Sequence, residues 1–485
     1  MTTFDADGIT LHKVREHVWE IPPEGGMRVP ARVFASERLL EEIAEDKTLQ
    51  QLKNTTHLPG IEGHAICMPD GHQGYGFPVG GVAGIDAENG CISPGAVGYD
   101  INCGVRMVKT NLEYDDVRGT EEELVNQLFE AVPTGLGGGG IVEGDRETID
   151  AALEKGVEWC LESGYAVESD LDHCEDEGRR PDADPSAVSQ KAKDRGRNQM
   201  GSLGSGNHFL EVQRVTDVFD DEIADAYGLS AEQVVVLIHC GSRGLGHQVC
   251  NDYLREIEQA HSGLLSQLPD KELAAAPAGS QLAEEYYGAM CAAINFAWVN
   301  RQLITHRTRT VFEDVFDESW DDLGMELLYD VAHNIAKKEV HTVDGEQQEL
   351  YVHRKGATRA FPAGRPEVPE AYRDVGQPVI IPGSMGAGSY VLCGGSESLD
   401  VSFGSTAHGA GRLMSRTQAK NEFWGGDVQD DLRDREVYVK AQSGATIAEE
   451  APGVYKSVDE VVRVSDELGI GDKVVRVAPI CNIKG

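Results

Sequence analysis

Metal-capable side chains in this sequence stand at the ends of short apolar runs, each beside glycine, and they recur from residue 100 to residue 333. Positions so far apart can cooperate only if that whole span closes around one core, so their spacing constrains the fold more than any bulk property does. The run Gly204-Ser-Gly-Asn-His-Phe-Leu-Glu211 is its centre. Two glycines permit a sharp turn and a close approach to a ligand, and Asn207, His208 and Glu211 follow with an amide, an imidazole and a carboxylate. Residues 209–213 predict a strand. Val234-Val-Val-Leu-Ile238, apolar and β-branched, predicts a buried strand that stops at His239-Cys-Gly-Ser-Arg243-Gly-Leu-Gly246. Upstream, Asp100-Ile-Asn-Cys103-Gly104 sets a carboxylate and a thiol three residues apart; downstream, residues 327–334 predict an amphipathic helix that carries His333.

Asp100, Cys103, His208, His239 and His333 thus form an oxygen, sulfur and nitrogen ligand set larger than one tetrahedral ion needs. Five ligands around a shared thiolate suit two neighbouring ions, the arrangement that stabilises both attacking and leaving oxygens in phosphoryl transfer. Thiolate and imidazole favour zinc, carboxylate favours manganese or magnesium, and these residue types leave the metal open.

The chain, at 485 residues, exceeds one average domain, yet the ligand spread asks for one core. We therefore expect a single large domain over 1–485 of α/β class, mixed α+β, with central β-sheets flanked by helices and a cleft at the strand ends. No run of 18 apolar residues occurs, and the N-terminus lacks the basic and apolar regions of a signal peptide. A cytoplasmic protein without a membrane partner is the expectation. Ten cysteines without paired spacing point to reduced thiols, with Cys67, Cys91, Cys160, Cys250, Cys291, Cys393 and Cys481 as small buried hydrophobes.

A formal net charge of -39 ordinarily argues against nucleic acid, because phosphate binding relies on Lys and Arg displacing counterions. Here the acids spread over segments such as 37–46 and 120–130, which resembles the solvating surface of proteins from a very salty cytoplasm, where screening shortens each repulsion. A halophilic protein is expected, and any polyanion must meet a local basic patch.

Along the chain, Leu39, Leu40, Ile43, Leu49 and Leu52 predict one helix over 36–53 behind Ser36 as N-cap. The Gly/Pro-dense run 66–81 contains Asp70 and His72, which read equally as catalytic or supporting groups and as turn residues. Thr120 and Glu123 match a capping box, with the helix ending at Pro133. Gly137 to Gly140 predicts a mobile loop or, less often, a loop that approaches phosphate, and 168–186 a charged surface excursion with His173 and Cys174 solvated. Long helices are predicted at about 243–262 and 280–305. Arg354, Lys355 and Arg359 form a basic cluster. Residues 379–389 predict a buried strand opening into small residues whose N–H groups can cradle phosphates. His408, among glycines and leading into a helix with Arg412 one turn on, sits near a helix N-terminus, where anions are favoured; it is suited to attack phosphorus.

Seven motifs then carry a family resemblance, in order, from about Met27 to Lys484: Met68-Pro-Asp-Gly-His-Gln-Gly-Tyr-Gly76, Asp100-Ile-Asn-Cys-Gly104, Gly204-Ser-Gly-Asn-His-Phe209, His239-Cys-Gly-Ser-Arg-Gly244, Ala332-His-Asn334, Pro382-Gly-Ser-Met385 and Ser405-Thr-Ala-His-Gly-Ala-Gly-Arg412. Together they resemble the RtcB-type RNA-splicing ligases. The resemblance implies a GTP-dependent enzyme joining RNA with a 2′,3′-cyclic phosphate or 3′-phosphate to RNA with a 5′-hydroxyl, as with tRNA exon halves. It implies two Mn²⁺ ions on Asp100, Cys103, His208, His239 and His333, and guanylylation of His408; beside it we take Asp70 as our own further catalytic candidate. The guanylate is implied to rest on Asn207, His208, Phe209, Leu210 and Glu211, on His333 and Asn334, on Pro382, Gly383, Ser384 and Met385, on Ser389, on His408, Gly409, Ala410 and Gly411, and on Lys484. An archease-like activator is implied as a partner. Arg195, Arg243 and Arg412 are our candidates for RNA phosphates, each with a structural ion pair as its plainer reading. A metal-dependent phosphoesterase using water as nucleophile is the alternative function. A non-catalytic RNA-binding protein would have no use for five ligands.

Overall fold

The computed structural model describes residues 2–485 except Leu136 and Gly138, so part of the loop predicted at 137–140 lies outside the described residues. Two sheets of eight strands dominate. The first runs from Thr3–Ala6 through Ile9–Arg15, Val18–Ile21, Ala31–Phe34, Ile61–His72, Val79–Asp86 and Glu346–Lys355 to Asn334–Val343. All its neighbours are antiparallel except Ala31–Phe34 with Ile61–His72. The second runs Leu327–Ala332, Gly104–Glu113, Gln233–Cys240, Phe209–Val218, Asp472–Lys484, Ser389–Cys393, Pro378–Ile381, with Tyr438–Ala441 added in parallel to Asp472–Lys484. Helices cover both, as a mixed α/β class requires.

Leu39, Leu40, Ile43, Leu49 and Leu52 pack with the first sheet, and fully burying each such side chain is worth about 1.5–3 kcal/mol. They come from two helices, Glu37–Ile43 and Thr48–Thr55, rather than one. Ser36 caps the first through Leu39 N at 3.3 Å. The break falls where the Asp46 carboxylate accepts from Thr48 N and Gln73 N, each at 2.8 Å, tying the turn to the neighbouring loop. The predicted capping box fails too: the Thr120 hydroxyl donates to Val117 O at 2.7 Å, and Glu121 takes the Gly119 N–H at 2.7 Å. Behind the second sheet lie Arg243–Ala260 and Gln281–Phe316. The latter outruns its predicted end because buried polar residues there find partners, as Arg309 does with Asp170 at 2.7 and 2.8 Å.

Residues 327–332, expected to be helical, are a strand. All six are buried, and the strand pairs with Gly104–Glu113; a strand covered on both faces loses the alternation that marks strands locally. His333 is therefore the link between Leu327–Ala332 of one sheet and Asn334–Val343 of the other. The segment 168–186 is exposed over much of its length, as at Glu168, Asp172, Glu177, Asp182 and Asp184, but its middle turns inward. Asp170, Cys174 and Glu175 are buried, and Glu175 and Asp176 lie 2.8 and 2.7 Å from buried Lys337 and 3.4 Å from Arg359. Asp170, Glu175 and Asp176 thus neutralise buried cations. The basic cluster is likewise internal: Arg354 pairs with Glu339 at 2.6 Å, and Lys355 donates to the carbonyls of Tyr75, Phe77 and Gly95 at 2.7–3.0 Å. All ten cysteines are free and buried. No described helix is long and apolar enough to cross a membrane.

Candidate active site

Antiparallel register gathers the ligands at one end of the second sheet. Gly104 pairs with both Cys240 and Ala332, and Phe209 with both His239 and Lys484. Cys103 and His208 immediately precede their strands, while His239 and His333 come at the ends of theirs, so alternating strand direction brings all four to one edge. Asp100 lies three residues before Cys103, across a turn in which Asn102 takes a φ of 52°.

Two ligand trios result, Asp100 with Cys103 and His208, and Cys103 with His239 and His333. The Cys103 sulfur is common to both. It lies 3.4 Å from His208 Nε2 and 3.3 Å from His239 Nε2; His239 and His333 Nε2 are 3.3 Å apart, and His208 Nε2 is 2.9 Å from Asp100 Oδ2. Donors about 2.0–2.3 Å from one tetrahedral ion stand roughly 3.3–3.8 Å from each other, so these atoms need little movement to hold an ion per trio. The Leu203 carbonyl, 3.0 Å from His208 Nδ1, commits that nitrogen and leaves Nε2 for a metal. The donor set fits divalent metal.

Electrostatics agree with that fit. Burial foremost, then neighbouring positive groups, holds His239 and His333 well below the usual imidazole range, in the neutral form a metal requires. Burial, then the Asp100 carboxylate, pushes the Cys103 thiol well up; a cation among the ligands opposes both effects. Burial would also raise Asp100, but the His208 hydrogen bond and the charges of His208, His247 and Arg243 carry it far below the usual carboxylate range.

His408 flanks the trios, its ring centroid 4.9 Å from that of His333. It follows the strand Ser405–Ala407, not a helix N-terminus as expected; the next helix starts at Arg416. The anion that its surroundings favour is instead Asp70, at the end of Ile61–His72. Asp70 Oδ2 lies 2.6 Å from His408 Nδ1 and accepts the N–H groups of His408 and Gly409 at 3.0 and 3.1 Å. These N–H groups are therefore not free for phosphate. Gly411, at φ 77°, passes so close to the Asp70 carbonyl that a Cβ there would overlap it. Burial works against the Asp70 charge, yet His408 outweighs it and the carboxyl ends below its ordinary range.

A cavity of about 260 Å³ opens beside both groups. Of the residues expected around a guanylate, Asn207, Phe209, His333, Asn334, Pro382, Gly383, Ser384, His408, Gly409, Ala410, Gly411 and Lys484 line it. Lys484 Nζ stands 4.8 Å above the Phe209 ring. His208, Leu210, Glu211, Met385 and Ser389 lie behind the wall. There, Ser389 Oγ accepts from Gly383 N at 3.2 Å and from Gln213 at 3.1 Å, and Glu211 binds the Gln213 and Asn482 amides. Burial above all pushes Glu211 up to about 7.

The three arginines separate. Arg412 is held by Glu450 at 3.0 Å and by Tyr455 at 3.2 Å. Arg243 is buried, with a φ of 54°. Its guanidinium lies 3.4 Å from Ser202 Oγ and 3.4 Å from His208 Nδ1, in space that a Cβ at Gly204 would fill. Arg195 is exposed and donates to Gln248 at 3.1 Å.

Sequence reasoning missed Arg301 and Glu450. Fully buried Arg301 donates to the carbonyls of Asn102 and Cys240 at 2.9 and 2.8 Å and pairs with Asp330 at 2.8 Å, thereby joining the segments that carry Cys103, His239 and His333. Buried Glu450 gathers Arg412 and Tyr455, with Arg416 at 3.7 Å and Lys484 at 3.9 Å. Arg301 lies within a long helix and Glu450 just after a short one, Gly444–Glu449, and no local signal marks either.

Comparison with known proteins agrees with this geometry. The sequence matches the family described as tRNA-splicing ligase RtcB over residues 51–485. Relatives bearing the name tRNA-splicing ligase RtcB include one from Thermococcus kodakarensis, 55% identical over 98% of this chain and 99% of its own length. One from Archaeoglobus fulgidus is 50% identical over 98% and 99%, and one from Aeropyrum pernix 52% identical over 98% and 100%.

Proposed function

This chain belongs to the tRNA-splicing ligase RtcB family, and from that premise we propose that it is a GTP- and Mn²⁺-dependent RNA ligase. It joins a 2′,3′-cyclic phosphate or 3′-phosphate end to a 5′-hydroxyl end. The observation that carries the reading is a histidine with one ring nitrogen 2.6 Å from a buried carboxylate, set against two ligand trios that share one sulfur. Asp100, Cys103, His208, His239 and His333 would hold the metal, which supplies positive charge for the phosphates and aids in-line displacement.

The negative charge of Asp70, 2.6 Å from His408 Nδ1, favours the tautomer protonated there, which leaves the Nε2 lone pair as the nucleophile. Nε2 attacks the α-phosphorus of GTP; a P–N bond forms, the α–β bridging P–O bond breaks, and pyrophosphate departs with its electron pair. An RNA 3′-phosphate oxygen, present at the outset or released by hydrolysis of the cyclic phosphate, then attacks the same phosphorus. The P–N bond breaks and Nε2 recovers its lone pair. Finally, the 5′-hydroxyl attacks the activated 3′-phosphate, loses its proton and expels GMP. Lys484 over the Phe209 ring offers a cation and an aromatic face in the cavity wall, and Asn334, whose amide spans Asp100 O and Gly356 N at 3.1 and 2.9 Å, ties two parts of that wall together.

The test is incubation with Mn²⁺ and GTP labelled at the α-phosphate. We expect acid-labile label on the wild type, none on His408→Ala or Cys103→Ala, and a loss on the order of 100-fold or more in labelling rate for Asp70→Asn, which disturbs the imidazole tautomer. RNA ends joined in a GTP-dependent manner complete the case. Phosphate release from RNA ends without any need for GTP would replace this reading with a phosphoesterase.

A further inference from the structure

An RNA brings a body of phosphates to a protein whose acidic residues outnumber its basic ones 82 to 43. Polyanions bind where cations are free of carboxylates. Resting on the ligase reading above, we infer that the exposed arc of the helix Gln190–Gly196, with Arg197 after it, is the docking track for RNA phosphates leading out of the active site.

Between Ser189 and Gln199 the chain holds Lys191, Lys193, Arg195 and Arg197 against a single acid, Asp194. Lys193 turns inward to Asp150 at 2.7 Å, but Lys191, Arg195 and Arg197 face solvent. Among the described residues no carboxylate comes within 4.0 Å of the Lys191 or Arg195 cation, and Arg197 reaches Asp194 only at 4.0 Å. The other lip of the cavity contrasts with this. There Lys420 is paired with Glu449 at 2.7 Å, and Arg416 lies 3.7 Å from Glu450.

The track is continuous with the site. Arg195 packs on Gly244, whose N–H goes to Gln199 at 2.9 Å. The preceding residue is Arg243, buried beside His208 with no carboxylate within 4.0 Å among the described residues. His247 on the same helix stacks 5.9 Å from Tyr99 of the cavity wall. Exposed groups thus run from His247 at the cavity wall through Arg195 to Lys191 and Arg197, with buried Arg243 adding positive charge beneath them and with Lys191 and Arg195 one helical turn apart on one face. A strand whose end reacts at His408 can lay its next phosphates along them.

The test uses the full chain with Lys191→Gln and Arg197→Gln combined, binding single-stranded RNA with a 3′-phosphate over a range of KCl concentrations, beside guanylylation by labelled GTP without RNA. We expect guanylylation to match the wild type and RNA affinity to fall. The slope of log K against log [KCl] should become shallower by about 1.4, from roughly 0.7 per lost contact. Lys191→Arg with Arg197→Lys should restore both. Wild-type affinity and slope in the Gln variant, while the wild type ligates normally, would overturn the track alone. A wild type that takes no label and joins no ends would instead overturn the ligase reading on which it rests.

Discussion

At His408 the two ring nitrogens differ because only one of them meets Asp70. Neither residue type dictates that; a histidine among glycines and an aspartate before a glycine are each compatible with a turn. Glu211 shows the same dependence on surroundings. Its carboxyl is pushed up to about 7 from an ordinary 4.5, first by burial, with Lys484 and the Gln213 and Asn482 amides opposing. A carboxyl raised on folding binds its proton more tightly in the native state, so its contribution is complete below about pH 4.5 and is lost as the pH rises through about 7. Glu211→Gln removes that loss. At about pH 8 the variant should be more stable by up to roughly 3 kcal/mol, at 1.36 kcal/mol per unit, and at about pH 4 the two should match. Urea unfolding at both pH values measures it, and a difference independent of pH would refute the cause.

At the scale of elements, the site is a product of strand direction. Cys103 and His208 enter the second sheet at the edge where His239 and His333 leave it. Arg301 clamps that edge from the long helix by bonding Asn102 O, Cys240 O and Asp330 together. A lysine in its place keeps charge but cannot bond in three directions from one plane. For Arg301→Lys we expect Mn²⁺ affinity to drop about 10–100-fold, the size seen when groups supporting metal ligands are lost. Calorimetric titration of the folded metal-free protein checks this, and unchanged affinity would mean that strand pairing alone positions the ligands.

At the scale of the whole molecule, the charge of -39 sets the solution behaviour. Spread repulsion weakens as the Debye length falls from about 10 Å at 0.1 M salt to about 3 Å at 1 M. The midpoint of thermal unfolding should therefore climb as KCl is raised over that range, and scanning calorimetry showing a fall would end the halophilic reading. Not all the acid is surface, however. Asp170, Glu175, Glu339 and Glu450 are buried opposite arginine or lysine, so breaking one partner leaves an unpaired buried charge, a loss of about 3–5 kcal/mol.

The sequence by itself marked the candidate ligands that the fold gathers, and determined the buried strands at 209–213 and 234–238, the long helices and the reduced cysteines, because residue chemistry and short-range periodicity carry that information. Tertiary structure decided the rest. His333 became a link between two sheets because Leu327–Ala332 found an edge on Gly104–Glu113. Glu175 and Asp176 became partners of Lys337 and Arg359 because the fold brings them together. His408 acquired Asp70 from a strand more than three hundred residues earlier. Register and burial depend on residues distant in sequence, and no local window contains them.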